Sequence, residues 1–144
     1  MNVSVAWTGV YPALLTPFTI DDQLDLSLFK KNVEAQLENG VHGFIIGGSL
    51  GEASTLLNQE KMQLLRATLS VSGGKVPVIV NIAEQATRQS IACAQEAESA
   101  GARGLMLIPP MRYFADARET VTYFRAVAQE SALPIMIYNN PFDY

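Results

Sequence analysis

Cysteine and histidine are nearly absent: Cys93 and His42 are the only ones among 144 residues. That excludes an internal disulfide, a cysteine-cluster zinc site and a multi-histidine metal centre. Charge is also scarce, at 17% of residues against about 25% in ordinary domains. Lys and Arg number 10 and Asp and Glu 14, a net charge of −4. This balance gives no electrostatic case for nucleic acid or an anionic membrane. No apolar run approaches the roughly 20 residues that span a bilayer. The first eight residues lack the basic start and long apolar stretch of a signal peptide. What is abundant is hydrophobic side chain, 49% of the sequence, which excludes disorder. These counts predict a cytoplasmic globular protein of one domain that holds no metal of its own.

Short apolar runs alternate with longer amphipathic ones. Residues 10–16 (VYPALLT) read as a first strand. Asp25 caps a helix carrying Leu28, Phe29, Val33 and Leu37, and Gly40 ends it. The second strand is residues 43–47 (GFIIG). Asn58 caps a second helix with Met62, Leu65 and Leu69, stopped at Gly73-Gly74. The third strand is residues 76–82, and Thr87 with Ser90 opens a third helix that Gly101 closes. The fourth strand is residues 104–108, ended by Pro109-Pro110. Asp116 and Glu119 have capping-box spacing, and the helix behind them presents Val121, Phe124, Val127 and Ala128. The fifth strand is residues 134–138 (PIMIY).

The order is β-α-β-α-β-α-β-α-β, an α/β chain of five strands and four helices, with strands apolar enough for a parallel sheet covered on both faces. Two architectures fit: a doubly wound open sheet, or part of a (β/α)8 barrel. A full barrel takes about 250 residues, so this chain makes a little over half of one.

Ligands of parallel α/β proteins bind beyond the C-terminal strand ends. Residues 16–18 after the first strand read as a turn. After the second comes Gly47-Gly48-Ser49-Leu50-Gly51-Glu52. It is either a tight βα turn or a cradle of N–H groups and a hydroxyl for a carboxylate or phosphate. Glu52 reads as structural. After the third strand no constellation is visible. After the fourth, Arg112 suits an anionic substrate and Tyr113 a proton transfer, or they are a solvated cation and a packed aromatic. Tyr138 ends the fifth strand, placed for proton transfer or for burying its ring. The four lysines read as solvated surface charges: Lys30, Lys31 and Lys61 in opening turns of helices, Lys75 before the third strand. None sits at a C-terminal strand end as a Schiff-base nucleophile must. His42 reads as structural or exposed, and Cys93 as a small packed residue.

Three motifs in order carry a resemblance: residues 9–18 (GVYPALLTPF), Gly48-Ser49-Leu50-Gly51-Glu52, and Tyr138-Asn139-Asn140-Pro141. With their spacing, the chain from about Gly9 onward resembles the dihydrodipicolinate synthase / N-acetylneuraminate lyase family. The resemblance implies the N-terminal part of a single (β/α)8 barrel over residues 1–144. It implies a lyase that joins a lysine to a 2-oxo acid such as pyruvate, needs no cofactor and assembles as a homo-oligomer, dimer or tetramer. Tyr138 then matches the proton-transfer tyrosine, and Ser49 the hydroxyl that relays protons and helps bind substrate carboxylate. Gly48, Leu50, Arg112 and Tyr113 complete the substrate-binding set. Leu50 replaces a common second hydroxyl, leaving only its N–H. The family's lysine ends a sixth strand, beyond this chain, which alone is expected to be inert. Asp143 stands where dihydrodipicolinate synthase carries Arg. The combination GGSLGEASTL, PPMRY and YNNP is more similar to the branch that deaminates 1-pyrroline-4-hydroxy-2-carboxylate. Sugar-acid aldolases and dehydratases, and dihydrodipicolinate synthase itself, are the alternatives within the family. A non-catalytic α/β module binding an anion or a partner chain is the alternative outside it.

Overall fold

A computed structural model describes residues 5–112 and 114–140. Four helices are present: α1 (Leu26–Glu38), α2 (Asn58–Ser72), α3 (Thr87–Ser99) and α4 (Ala117–Gln129). They alternate with four strands, β1 (Phe44–Ile46), β2 (Val78–Ile82), β3 (Gly104–Leu107) and β4 (Ile135–Ile137). All neighbours pair in parallel, in the order β1-β2-β3-β4.

That order separates the two architectures. A doubly wound sheet reverses its strand order at a switch point and carries helices on both faces. Here order follows the chain, and the main core packs all four helices on one sheet face. It joins Phe29 and Val33 of α1, Met62 and Leu65 of α2, Ala94 and Ala97 of α3, and Tyr123 and Val127 of α4 to Phe44, Ile46, Val78, Val80, Ile82, Leu105 and Leu107. The opposite face carries a smaller apolar cluster of Ile45, Ile79 and Met106, with Val5, Tyr11 and Met136 against them. One-sided helical cover on a sequential parallel sheet is the wall of a (β/α)8 barrel, and the second face is its inside.

The expected first strand is replaced by an extended segment beside β1. Leu14 donates its N–H to Ile45, Ile45 donates to Pro12, and Ala13 and Ile45 form one parallel bridge. Pro12 has no N–H to give, so the ladder cannot continue through it. His42 is exposed, and its Nδ1 accepts the Val10 N–H at 3.0 Å, the structural role expected. The fifth expected strand is β4, shorter at both ends.

Local signals held where a side chain reaches a helix end. Asp25 Oδ1 accepts the Leu28 N–H at 2.9 Å. Asp116 and Glu119 exchange both capping-box bonds, at 2.7 and 3.0 Å. In α2 the cap position is Leu57, not Asn58: Glu60 accepts the Leu57 N–H at 2.8 Å. Asn58 is instead the first helical residue, and its Oδ1 accepts the Cys93 thiol at 2.9 Å. The buried face of α4 keeps Val127 and Phe124 as expected but is rotated at its margins. Val121 is 46% exposed and Ala128 is exposed, whereas Tyr123 is buried. The Tyr123 hydroxyl lies 2.9 Å from Ser90 Oγ and donates to the Ile108 carbonyl at 3.1 Å. An aromatic with a polar tip enters the core because both partners are there to receive it.

Candidate active site

The loop after β1 is a tight knot. Gly48 is buried, and its carbonyl accepts the N–H groups of Gly51 at 2.9 Å and Ala53 at 3.1 Å. Residues Ser49–Gly51 form a single 3-10 turn. The Ser49 and Leu50 amides open this turn, and no backbone acceptor takes them among the described residues. Both residues are exposed. Glu52 closes the turn at φ 65°, a left-handed conformation that costs a non-glycine residue about 1–2 kcal/mol. It pins the loop through its backbone, because its carbonyl accepts the Thr55 and Leu56 N–H groups.

The segment beside β1 holds this knot from below. Thr16 was expected in a plain turn. It is 8% exposed, and its hydroxyl donates to the Gly51 carbonyl at 2.8 Å. A Cβ on Gly51 would lie 2.6 Å from the Leu14 carbonyl oxygen, so only glycine fits. We expect Gly51→Ala to cost about 1–3 kcal/mol and to break the Thr16 anchor. Urea unfolding measures it, and an unchanged midpoint would show that the Leu14 backbone yields.

The main surprise is Lys61. It is 2% exposed, and its Nζ donates to Glu84 Oε1 at 2.7 Å. The expectation of a solvated surface lysine is wrong. So is the expectation of nothing after the third strand, since Glu84 follows β2. The lysine stem packs near Gly47, 3.7 Å from where a Cβ there would stand. A stem can bury its methylenes on apolar surface, but its head needs a partner when it cannot reach water. Glu84 is that partner, and the pair was invisible because its members are 23 residues apart.

Cys93 belongs to the same neighbourhood. Burial pushes its thiol up to about 11, opposed by Lys61 and reinforced by Glu84 and Glu96. A thiol so raised stays protonated at pH 8 and is a poor nucleophile. It should resist an aromatic disulfide reagent at pH 8 in the folded chain and react once urea unfolds it. Rapid labelling of the folded chain would contradict this burial. The raised value favours the folded state below the ordinary thiol value of 9.0. That contribution is lost as pH climbs from there toward 11.

A cleft of about 440 Å³ lies above these strands, lined by Ser49, Ser54, Ala83, Glu84, Ile108 and Met111 among others. Ser49 and Glu84 therefore meet in one cleft. Tyr138 follows β4, and its N–H donates to the Leu107 carbonyl at 3.0 Å, continuing the ladder. It is 43% exposed and lines a different cleft of about 430 Å³, with Pro109, Thr120 and Phe124. Among the described residues, then, Ser49 and Tyr138 share a sheet end but not a cavity. Arg112 is exposed. Tyr113, Pro141 and Asp143 lie outside the described residues. Among the described residues no three metal-ligating side chains converge, and no helix is long and apolar enough to cross a membrane.

Comparison with known proteins places this geometry. A profile of the dihydrodipicolinate synthetase family matches residues 6–143. An uncharacterized DapA-like lyase of Rhizobium meliloti is 36% identical over 141 residues, 98% of this chain and 47% of that protein. A 4-hydroxy-tetrahydrodipicolinate synthase of Exiguobacterium sibiricum is 40% identical over 133 residues, 92% and 45% of the two chains. Among solved structures, a prophage protein of the dihydrodipicolinic acid synthase family from E. coli K12, crystallised with pyruvate, superposes with TM-score 0.91. It is 32% identical, over 96% of this chain and 47% of that one. The chain spans about half the length of the relatives it matches.

Proposed function

Because the chain belongs to the dihydrodipicolinate synthetase family, we propose that it forms the N-terminal part of a single (β/α)8 barrel. The complete protein is then a Schiff-base-forming lyase acting on a 2-oxo acid or a cyclic imine carboxylate. The observation that carries this reading is the pinned loop at residues 48–52, at the C-terminal end of β1 in a sheet of sequential parallel strands. That is the end at which barrel enzymes work.

The roles follow from the chemistry. A substrate carboxylate suits the open Ser49 and Leu50 amides, reinforced by the Ser49 hydroxyl; Leu50 contributes its N–H alone. Arg112 and Tyr113 extend the binding set from the loop after β3. Imine formation and breakdown each move protons, which the Tyr138 phenol supplies with Ser49 as relay. The nucleophilic lysine belongs to a later strand. Lys61 does not substitute for it, because an ammonium bound to a carboxylate has no lone pair to attack a carbonyl. The protein works in the cytoplasm as a homo-oligomer.

Borohydride reduction with pyruvate tests the reading. The complete protein should gain one stable pyruvate adduct on a lysine, and the 144-residue chain none. Absence of the adduct in the complete protein, or its presence on Lys61, overturns the assignment. Within the family we place the complete protein in the branch that deaminates 1-pyrroline-4-hydroxy-2-carboxylate, on the combination GGSLGEASTL, PPMRY and YNNP, with Asp143 in place of the Arg of dihydrodipicolinate synthase. The relatives named 4-hydroxy-tetrahydrodipicolinate synthase favour a second reading, that activity itself. Ammonia release from the cyclic imine decides between them.

A further inference from the structure

One buried side-chain atom has no partner among the described residues: Asn81 Oδ1. Asn81 is fully buried in β2. Its neighbours Val80 and Ile82 face the helices. Ile79, two residues earlier, and Met106, its ladder partner, belong to the inner face. Strand alternation therefore turns Asn81 inward. Ile45, Ile79, Met106 and Met136 on that face are all apolar. An amide among them needs a reason, since an apolar side chain would fill the space without the loss of hydration.

Half of the amide is accounted for. Nδ2 donates to the Gly47 carbonyl at 2.7 Å and so fixes the point from which the loop after β1 departs. This also fixes the other half, because a flipped amide would set two acceptors against each other. Oδ1 is thus held in the barrel interior. A Cβ on Gly48 would lie 3.8 Å from Met106 Cε, which puts the loop directly over the ladder partner of Asn81. Ser49 lies two residues beyond Gly47, and Tyr138 two beyond Met136. Asn81 sits one step along the strands below both.

We propose that Asn81 belongs to the catalytic centre of the complete barrel: its Oδ1 accepts a hydrogen bond from the nitrogen of the attacking lysine, while its Nδ2 holds the carboxylate-binding loop. This rests on the Schiff-base reading above. The lysine nitrogen bonds to the 2-oxo carbon. The carbonyl oxygen takes one proton from that nitrogen and one from the Tyr138 phenol, which solvent restores through Ser49, and leaves as water. The protonated imine that remains keeps one N–H, buried away from water, and Oδ1 is a fixed acceptor for it.

The test uses the complete protein, with pyruvate as probe and borohydride trapping followed by mass across about pH 6 to 10. Asn81→Leu should slow trapping at neutral pH at least about tenfold, with unchanged circular dichroism. Asn81→Asp keeps size and the inward acceptor but gives up the Nδ2 bond to Gly47. It should move the half-maximal pH upward by about one unit, since a carboxylate beside the amine favours its charged form, whereas loss of the loop anchor alone would slow trapping without moving that pH. The Lys61–Glu84 pair and Tyr138 are common to all three proteins and cancel in the comparison. Superimposable rates and profiles for wild type and variants would overturn the role of Asn81 while leaving the Schiff base standing. Absence of a wild-type adduct overturns the Schiff base and this role together. If Asn81→Leu does not fold, the Asn81→Asp profile decides alone.

Discussion

In the complete protein, Tyr138→Phe should lower turnover about 10²–10⁴-fold, the range for removing a positioned proton donor and acceptor. Slower adduct formation with pyruvate should accompany it. The size of this effect follows from where Tyr138 sits. Tyr138 follows β4, and the bond its backbone makes to Leu107 survives the substitution. Phenylalanine keeps the ring and removes only the hydroxyl, so urea unfolding of the variant beside its turnover separates chemistry from stability. Ser49→Ala should cost less, because a water can stand in for a relay hydroxyl but not for the phenol. Wild-type turnover in the Phe variant would remove Tyr138 from the proton path.

Lys61→Ala should destabilise the chain by about 3 kcal/mol, measured by urea unfolding. Two losses add. The packed stem leaves a cavity under Gly47, and Glu84 loses the partner that offsets its desolvation. Breaking a buried pair one-sidedly costs about 3–5 kcal/mol. The carboxylate here is 28% exposed, so water recovers part of that loss. Lys61→Met keeps the stem and should lose less. Adding Glu84→Gln to it should restore most of the difference, since removing both charges leaves neither unpaired. Lys61→Met as stable as wild type would mean that the lysine contributes only its packing.

What the sequence disclosed was set by range. The caps at Asp25 and Asp116 were legible because donor and acceptor are three residues apart, and the strands because buried runs such as VIVNI have no other reading. The replacement of the first strand by an extended segment turned on Pro12, which has no N–H for a ladder. The site was half legible. Ser49 and its loop show in the glycine spacing. Thr16, Lys61, Glu84 and the inward Asn81 do not, because each takes its meaning from a partner 23–35 residues away. Lysine at the opening of a helix normally signals solvent. Lys61 is turned inward by its place on the buried stripe of α2, with Leu64, Leu65 and Thr68.

The strand order has a kinetic consequence. Every pairing in the sheet joins segments roughly thirty residues apart, one βα unit to the next, and none reaches across the chain. Closing loops of that size costs little more entropy than closing shorter ones. Sheet growth can therefore proceed one unit at a time from the N-terminus, each new strand finding its template already laid down. A chain emerging from the ribosome would have the β1 loop, with its Thr16 and Asn81 anchors, assembled before Tyr138 is synthesised. The β1 loop is thus an early product of folding, and Tyr138 arrives at a sheet end that has already formed.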